Sequence, residues 1–242
     1  MTNTKGTTMP QIDEAELFGN AEDQRAYEEF CANQEAVEKF TLDKPALICR
    51  WRMSNKKVPM LNRHIRALSE RLVQGEPLTH NMLSWAKQHV EWSLAEGDYT
   101  ARDGVLMLVI DVNGNAAMTV GEYEPLADTS AKALRARSAE ARSEADETGV
   151  APELLAAVNN GELAFVAPAD EFLCGTATLI EQLAQTKGIP VTRVDIPAQL
   201  KGALFLVSDE HGVVPADDTD AAEADAAMVT FFADGYEKLR AR

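Results

Sequence analysis

The stretch LCGTATLIEQLAQTKGIPV, Leu173 to Val191, decides the reading of this chain. It reads as a turn, a helix and the start of a buried strand. Gly175 permits a tight or left-handed turn. Thr176 or Thr178 can cap the helix by accepting bonds from its free N–H groups. Leu179, Ile180, Leu183 and Ala184 recur at helical spacing, which predicts a helix over 176–187. Gly188 suits the position just past its end. Ile189-Pro190-Val191 then opens an apolar segment that runs through Val194 to Ile196. A Gly-Thr turn opening a helix leaves N–H groups pointing outward at the positive end of the dipole, an arrangement that can hold a phosphate. The same residues also fit an ordinary loop, helix and strand connection, because short motifs carry little by themselves.

Composition narrows the classes. The formal net charge is -16 over 242 residues. That argues against a nucleic-acid partner, since a phosphate backbone needs a basic face. One bound phosphate group remains compatible, because it answers to local N–H groups. Cys31, Cys49 and Cys174 are scattered without metal-ligand spacing, so no metal site is expected. Their sparse, odd count suits a reducing cytoplasm. The start has no apolar signal core, and no apolar run reaches the length of a membrane span.

Residues 13–40 carry a helical, acidic pattern and read as an N-terminal extension over 1–45. Cys49, Trp51 and Met53 alternate with Arg50 and Arg52, which indicates a half-buried strand. Met60 to Ser69 leads into a helix, on which His64 and Arg66 read as a solvated face. A second helix runs from Thr79 to Glu96, with Thr79 as its N-cap, Gly97 as its stop, and Leu83, Ala86, Val90 and Leu94 as its apolar stripe. Trp85, His89 and Trp92 form a neighbouring stripe that reads as core or interface packing. Val105–Val112 and Asn115–Glu122 read as a hairpin through a type I′ Asn113-Gly114 turn. A long helix follows Asp128-Thr129-Ser130 and ends at Gly149. Ala221–Leu239 is an amphipathic helix.

The order of these pieces resembles the class IV aminotransferases, the fold-type IV pyridoxal-phosphate enzymes. Leu173-Cys174-Gly175-Thr176-Ala177-Thr178 corresponds to the family's phosphate turn. Gly188-Ile189-Pro190-Val191, Phe205-Leu206-Val207-Ser208 and Gly212-Val213-Val214-Pro215 follow in the family's order. The resemblance implies an α+β fold in two parts, a small domain over 46–127 and a reduced large domain over 128–242. It places Lys132, before a helix ending in Glu144-Ala145 and Gly149, where the family keeps its Schiff-base lysine. It implies pyridoxal phosphate as cofactor, with Gly175, Thr176, Ala177 and Ser208 at its phosphate. An amino acid or an amino-deoxychorismate-like molecule would be the substrate, and the chain would be a cytoplasmic homodimer.

Several positions depart from the family. Ala67 stands where a phosphate-binding Arg is usual, and Thr178 where another closes the phosphate turn. Arg137 replaces an aromatic residue. At least one strand pair, with the glutamate that holds the pyridine nitrogen, has no counterpart between Gly149 and Val166. Asp209-Glu210 occupies a turn that usually holds small residues, and two carboxylates facing inward there would weaken or abolish the phosphate seat. Two functions follow: a pyridoxal-phosphate aminotransferase or amino-lyase with a degenerate site, or a cofactor-free relative kept for binding or assembly.

Overall fold

Strand β1, Pro45–Met53, buries Leu47, Trp51 and Met53 and leaves Arg50 at the surface, as its alternation requires. It pairs antiparallel with β4, Gly104–Asp111, which pairs in turn with β5, Ala116–Gly121. Between β1 and β4 run α1, Leu61–Ser69, a small ribbon of β2, Leu72–Val73, and β3, Glu76–Pro77, and then α2, His80–Glu96. The Thr79 hydroxyl accepts the Met82 N–H and caps α2. Its buried stripe is Met82, Ala86, Val90 and Leu94, so Met82 takes the place expected of Leu83. Gly97 ends the helix with an ordinary negative φ of -72°. Trp85 stacks on His89, and Trp92 is 65% exposed, so the aromatic stripe is not core.

The computed structural model describes residues 42–97, 99, 101–149, 153–195 and 200–241, together with Arg25, Glu28 and Glu29. The chain divides into two compact units, Met1–Thr41 and Leu42–Arg242. Arg25, Glu28 and Glu29 are helical and exposed. The remainder of the N-terminal extension, Cys31 and Ile196 lie outside the described residues.

The β4–β5 hairpin forms in the expected register, but its turn is not type I′. Only Gly114 has positive φ, 81°. The reason is Asp111, whose carboxylate accepts the N–H groups of Asp43, Asn113 and Asn115. A side chain that satisfies the loop in this way selects a longer turn. The Asn-Gly pair that does take positive φ at both positions is Asn160-Gly161, at 51° and 76°, as a type I′ turn needs. Asp225 accepts both of their N–H groups.

Helix α3, Ala131–Thr148, starts at Ser130, which accepts the Ala133 N–H, and stops at Gly149 with φ 67°. A side chain at Gly149 would collide with the Ala46 carbonyl, so glycine lets the end of α3 approach β1. Only residues 149–153 separate α3 from β6, Leu154–Asn159. β7, Glu162–Val166, α4, Gly175–Thr186, β8, Val191–Val194, β9, Ala203–Ser208, β10, Gly212–Pro215, and α5, Glu223–Arg240, complete the chain. The second sheet has the order β10-β9-β6-β7-β8, and only β7 and β8 are parallel, joined by the α4 crossover. One face packs Phe165 and Phe205 against Ile180 and Phe232. The other packs Leu155 and Leu206 against Leu134. Burial on both faces explains the continuous apolar runs of β6 and β9. The fold is α+β, with two main sheets and the small β2–β3 ribbon among the described residues.

Candidate functional site

A tight turn, Asp209-Glu210-His211, links β9 to β10 and places its first carboxylate on the N-terminus of α4. Asp209 Oδ1 accepts the Thr176 N–H at 2.7 Å, and Oδ2 accepts the Gly175 N–H at 3.2 Å. Oδ2 also lies 3.1 Å from Nδ1 of His64 on α1. The Asp209 carbonyl accepts the Arg52 N–H of β1 at 2.9 Å, so one residue ties both sheets and two helices together. Burial pushes the carboxyl pKa up. The His64 imidazole and the Thr176 N–H outweigh it and hold the group down at about 2. The carboxylate is therefore ionised in the folded chain, at the positive end of a helix dipole.

His64 is a correction to the sequence reading. It is buried at 2% exposure, and its ring stacks on Trp51 with centroids 5.4 Å apart. Its Nε2 lies 3.1 Å from the Pro59 carbonyl. A lone His on a short helix is usually solvated; here Trp51 and Asp209, both distant in sequence, bury it. Arg66 is exposed, as read. Gly175 is not in a left-handed turn; it is the first residue of the helix, and glycine is required there because a Cβ would come within 2.5 Å of His64 Nδ1. The cap of α4 is Cys174, whose sulfur accepts the Ala177 N–H at 3.5 Å, and neither Thr176 nor Thr178.

Next to this seat lies a second ionic cluster. Glu153, buried just ahead of β6, receives Arg137 at 2.6 Å and the Ser208 hydroxyl at 3.3 Å. Its Oε1 is 3.5 Å from His211 Nε2. Ser208 Oγ accepts the N–H groups of Glu210 and His211, both at 3.0 Å, so its hydroxyl builds the turn. Glu210 turns the other way and pairs with Arg50 at 2.7 Å. Glu153, Glu210 and His211 lie close enough to ligate a metal, but Arg137 and Arg50 already neutralise both carboxylates. Burial lowers the His211 pKa. Burial pushes the Cys49 thiol up to about 12 and raises Cys174 well above its ordinary value, so neither is a ready nucleophile.

The cleft bounded by β1, α1, α3 and the Ser208–Glu210 turn takes in one of the sequence candidates. Ser208 lines it, while Gly175, Thr176 and Ala177 are buried behind Cys174 and Asp209 and do not line it. Lys132 is elsewhere: it is exposed in the first turn of α3, and no lysine lines the cleft among the described residues. Sequence reasoning missed Glu153. A charged residue directly before the apolar run Leu154–Val158 was the available signal.

The geometry bears on pyridoxal phosphate directly. The backbone donors that a phosphate would use are taken by Asp209. The open space in the cleft is about 50 Å³. Small-molecule sites typically hold about 300–1,000 Å³. With Asp209 in place, the residues do not fit the cofactor.

No protein-family model and no curated protein matches this chain in sequence. Solved structures do match in shape. A fold IV transaminase from Curtobacterium pusillum superposes with a TM-score of 0.53 at 14% identity, over 85% of this chain and 92% of its own. The 4-amino-4-deoxychorismate lyase from Pseudomonas aeruginosa gives 0.52 at 14%, over 82% and 96%. A hypothetical aminotransferase from Mycobacterium tuberculosis in its PLP-bound form gives 0.51 at 11%, over 84% and 95%, and its form with alpha-ketoglutarate and PMP is also similar. The architecture is that of the fold-type IV pyridoxal-phosphate enzymes, at 11–14% sequence identity to these structures.

Proposed function

We propose that this chain is a cofactor-free relative of the class IV enzymes, kept as a binding or assembly module. One observation carries the reading: the cleft is closed to about 50 Å³ and has no lysine in its described lining, while Lys132 is exposed. A Schiff-base lysine has to reach the same small space as the phosphate seat, and it has to lose its proton, which burial favours and exposure does not. The ion pairs Arg50–Glu210 and Arg137–Glu153 fill the space between the two sheets with groups that satisfy each other. Such a site is suited to holding its own halves in register.

Assembly as a homodimer belongs to this reading. Leu72, Trp92 and Phe172 are the large apolar side chains exposed among the described residues, at 55%, 65% and 47%. No helix among the described residues is long and apolar enough to cross a membrane. The enzyme reading keeps one supporting feature, the Gly175-Thr176 helix start.

One experiment separates the two. The purified protein is incubated with pyridoxal phosphate and its absorbance recorded before and after borohydride. The cofactor-free reading expects no band beyond that of free cofactor and no reduced adduct in the intact-mass spectrum. An adduct present in the wild type and absent from Lys132→Ala overturns it in favour of the enzyme.

A further inference from the structure

We infer that Asp209 is a built-in anionic ligand: its carboxylate occupies a seat competent for a phosphate-type anion, and the seat becomes available when that carboxylate is removed. The inference deepens the cofactor-free reading and rests on it for its setting. Its support is the donor set. The N–H groups of Gly175 and Thr176 converge on the two carboxylate oxygens, and His64 Nδ1 approaches one of them from the opposite element. The Thr176 hydroxyl is fully buried beside the Asp209 carboxylate and makes no well-directed hydrogen bond. The His64 Nδ1 atom likewise has only the charge contact with Asp209 and no well-directed hydrogen bond. A flat carboxylate has two oxygens. It satisfies both backbone donors and leaves these two side-chain atoms imperfectly used.

A tetrahedral phosphate has more oxygens and matches such a set better, since buried donors gain most when each is paired. What the carboxylate supplies instead is permanence. It is covalently part of the chain, so occupancy needs no free ligand and carries no association entropy. It also comes with the Arg52 bond and the His64 contact, which fasten β1 and α1 to the five-stranded sheet. In a protein that binds a phosphate there, this fastening depends on ligand concentration. Here it is constant.

The test compares wild type and Asp209→Ser in inorganic phosphate, against sodium chloride at matched ionic strength. The wild-type thermal midpoint moves no more in phosphate than the general salting effect on any folded protein. Asp209→Ser melts lower and recovers about 2–4 °C or more in millimolar phosphate. An Asp209→Ser protein that is folded and responds to phosphate no better than wild type overturns the inference. If the variant does not fold, wild type alone decides: the Gly175 and Thr176 amide resonances stay fixed on phosphate titration, and their saturable movement shows an open seat and overturns it. A null phosphate response in the variant leaves the cofactor-free reading standing, because that rests on the closed cleft and on Lys132. A borohydride-trapped adduct in the wild type sinks that reading while leaving the variant's phosphate response intact.

Discussion

Thr176 donates its backbone N–H to Asp209 Oδ1 at 2.7 Å, across 33 positions of sequence, and this bond closes the anion seat at the start of α4. A helix N-terminus attracts one anion well. Supplying that anion from the neighbouring strand end turns a ligand site into an internal joint.

Acid should open this joint. The Asp209 carboxyl is held at about 2 against an ordinary value of 3.8. A depressed carboxyl pKa contributes stability that is complete above the unfolded-state value and is lost as pH falls through the folded one. The window runs from about pH 4 down to about 2, and the contribution is roughly 2 kcal/mol. Urea unfolding of the wild type should weaken over that range, and Asp209→Asn should lack this component. A variant with the same acid slope as the wild type would place the titrating group elsewhere.

Glu153→Gln should destabilise the fold strongly. It leaves the Arg137 guanidinium, 26% exposed, with only the more distant Glu144 carboxylate at 3.7 Å and disturbs the Ser208 turn. Removing one partner of a buried pair typically costs about 3–5 kcal/mol. The predicted loss is about 3 kcal/mol in chemical denaturation. Joint replacement of Arg137 and Glu153 by apolar residues should cost less than Glu153→Gln alone.

Asp111→Ala should loosen the β4–β5 turn without touching the cleft. The carboxylate accepts three backbone N–H groups and the Asn115 amide, so its loss orphans several donors. The expected cost is about 1–3 kcal/mol. Hydrogen exchange should quicken at Asn113 and Asn115 while Gly175 and Thr176 stay protected. Faster exchange at all four would mean global rather than local loosening.

Gly175→Ala should act on the joint from the opposite side. An added Cβ comes within 2.5 Å of His64 Nδ1, so the imidazole must shift away from Asp209. The helix itself tolerates alanine better than glycine, by roughly 1 kcal/mol. Net destabilisation, together with a changed His64 proton resonance, is therefore the signature of steric displacement. Net stabilisation would show that His64 yields at no cost.

Lys132→Ala should be silent in stability, within about 0.5 kcal/mol, as expected for an exposed residue away from special features. Denaturation midpoints of the two proteins decide this. A loss of more than about 1 kcal/mol would reveal a contact that exposure conceals.

Much of the fold was legible in local pattern. Alternation in β1, the Thr79 and Ser130 caps, the stops at Gly149 and Gly188, and the apolar runs of β6 and β9 depend on neighbours within a few residues, so sequence specifies them. The order of those elements was enough to point to the fold-type IV architecture. Turn geometry was already less local. Asn113-Gly114 lost its I′ form to Asp111, while Asn160-Gly161 took it with help from Asp225, 64 residues away. The seat at α4 belonged to tertiary structure entirely. Sequence placed two carboxylates after Ser208 and a conditional on their direction. Only the crossing of the β9–β10 turn with α1 and α4 sent Asp209 to Thr176 and His64 and the equally buried Glu210 to Arg50 across the cleft. Charge pairing across long sequence separations follows from where the chain packs, and no periodicity encodes it.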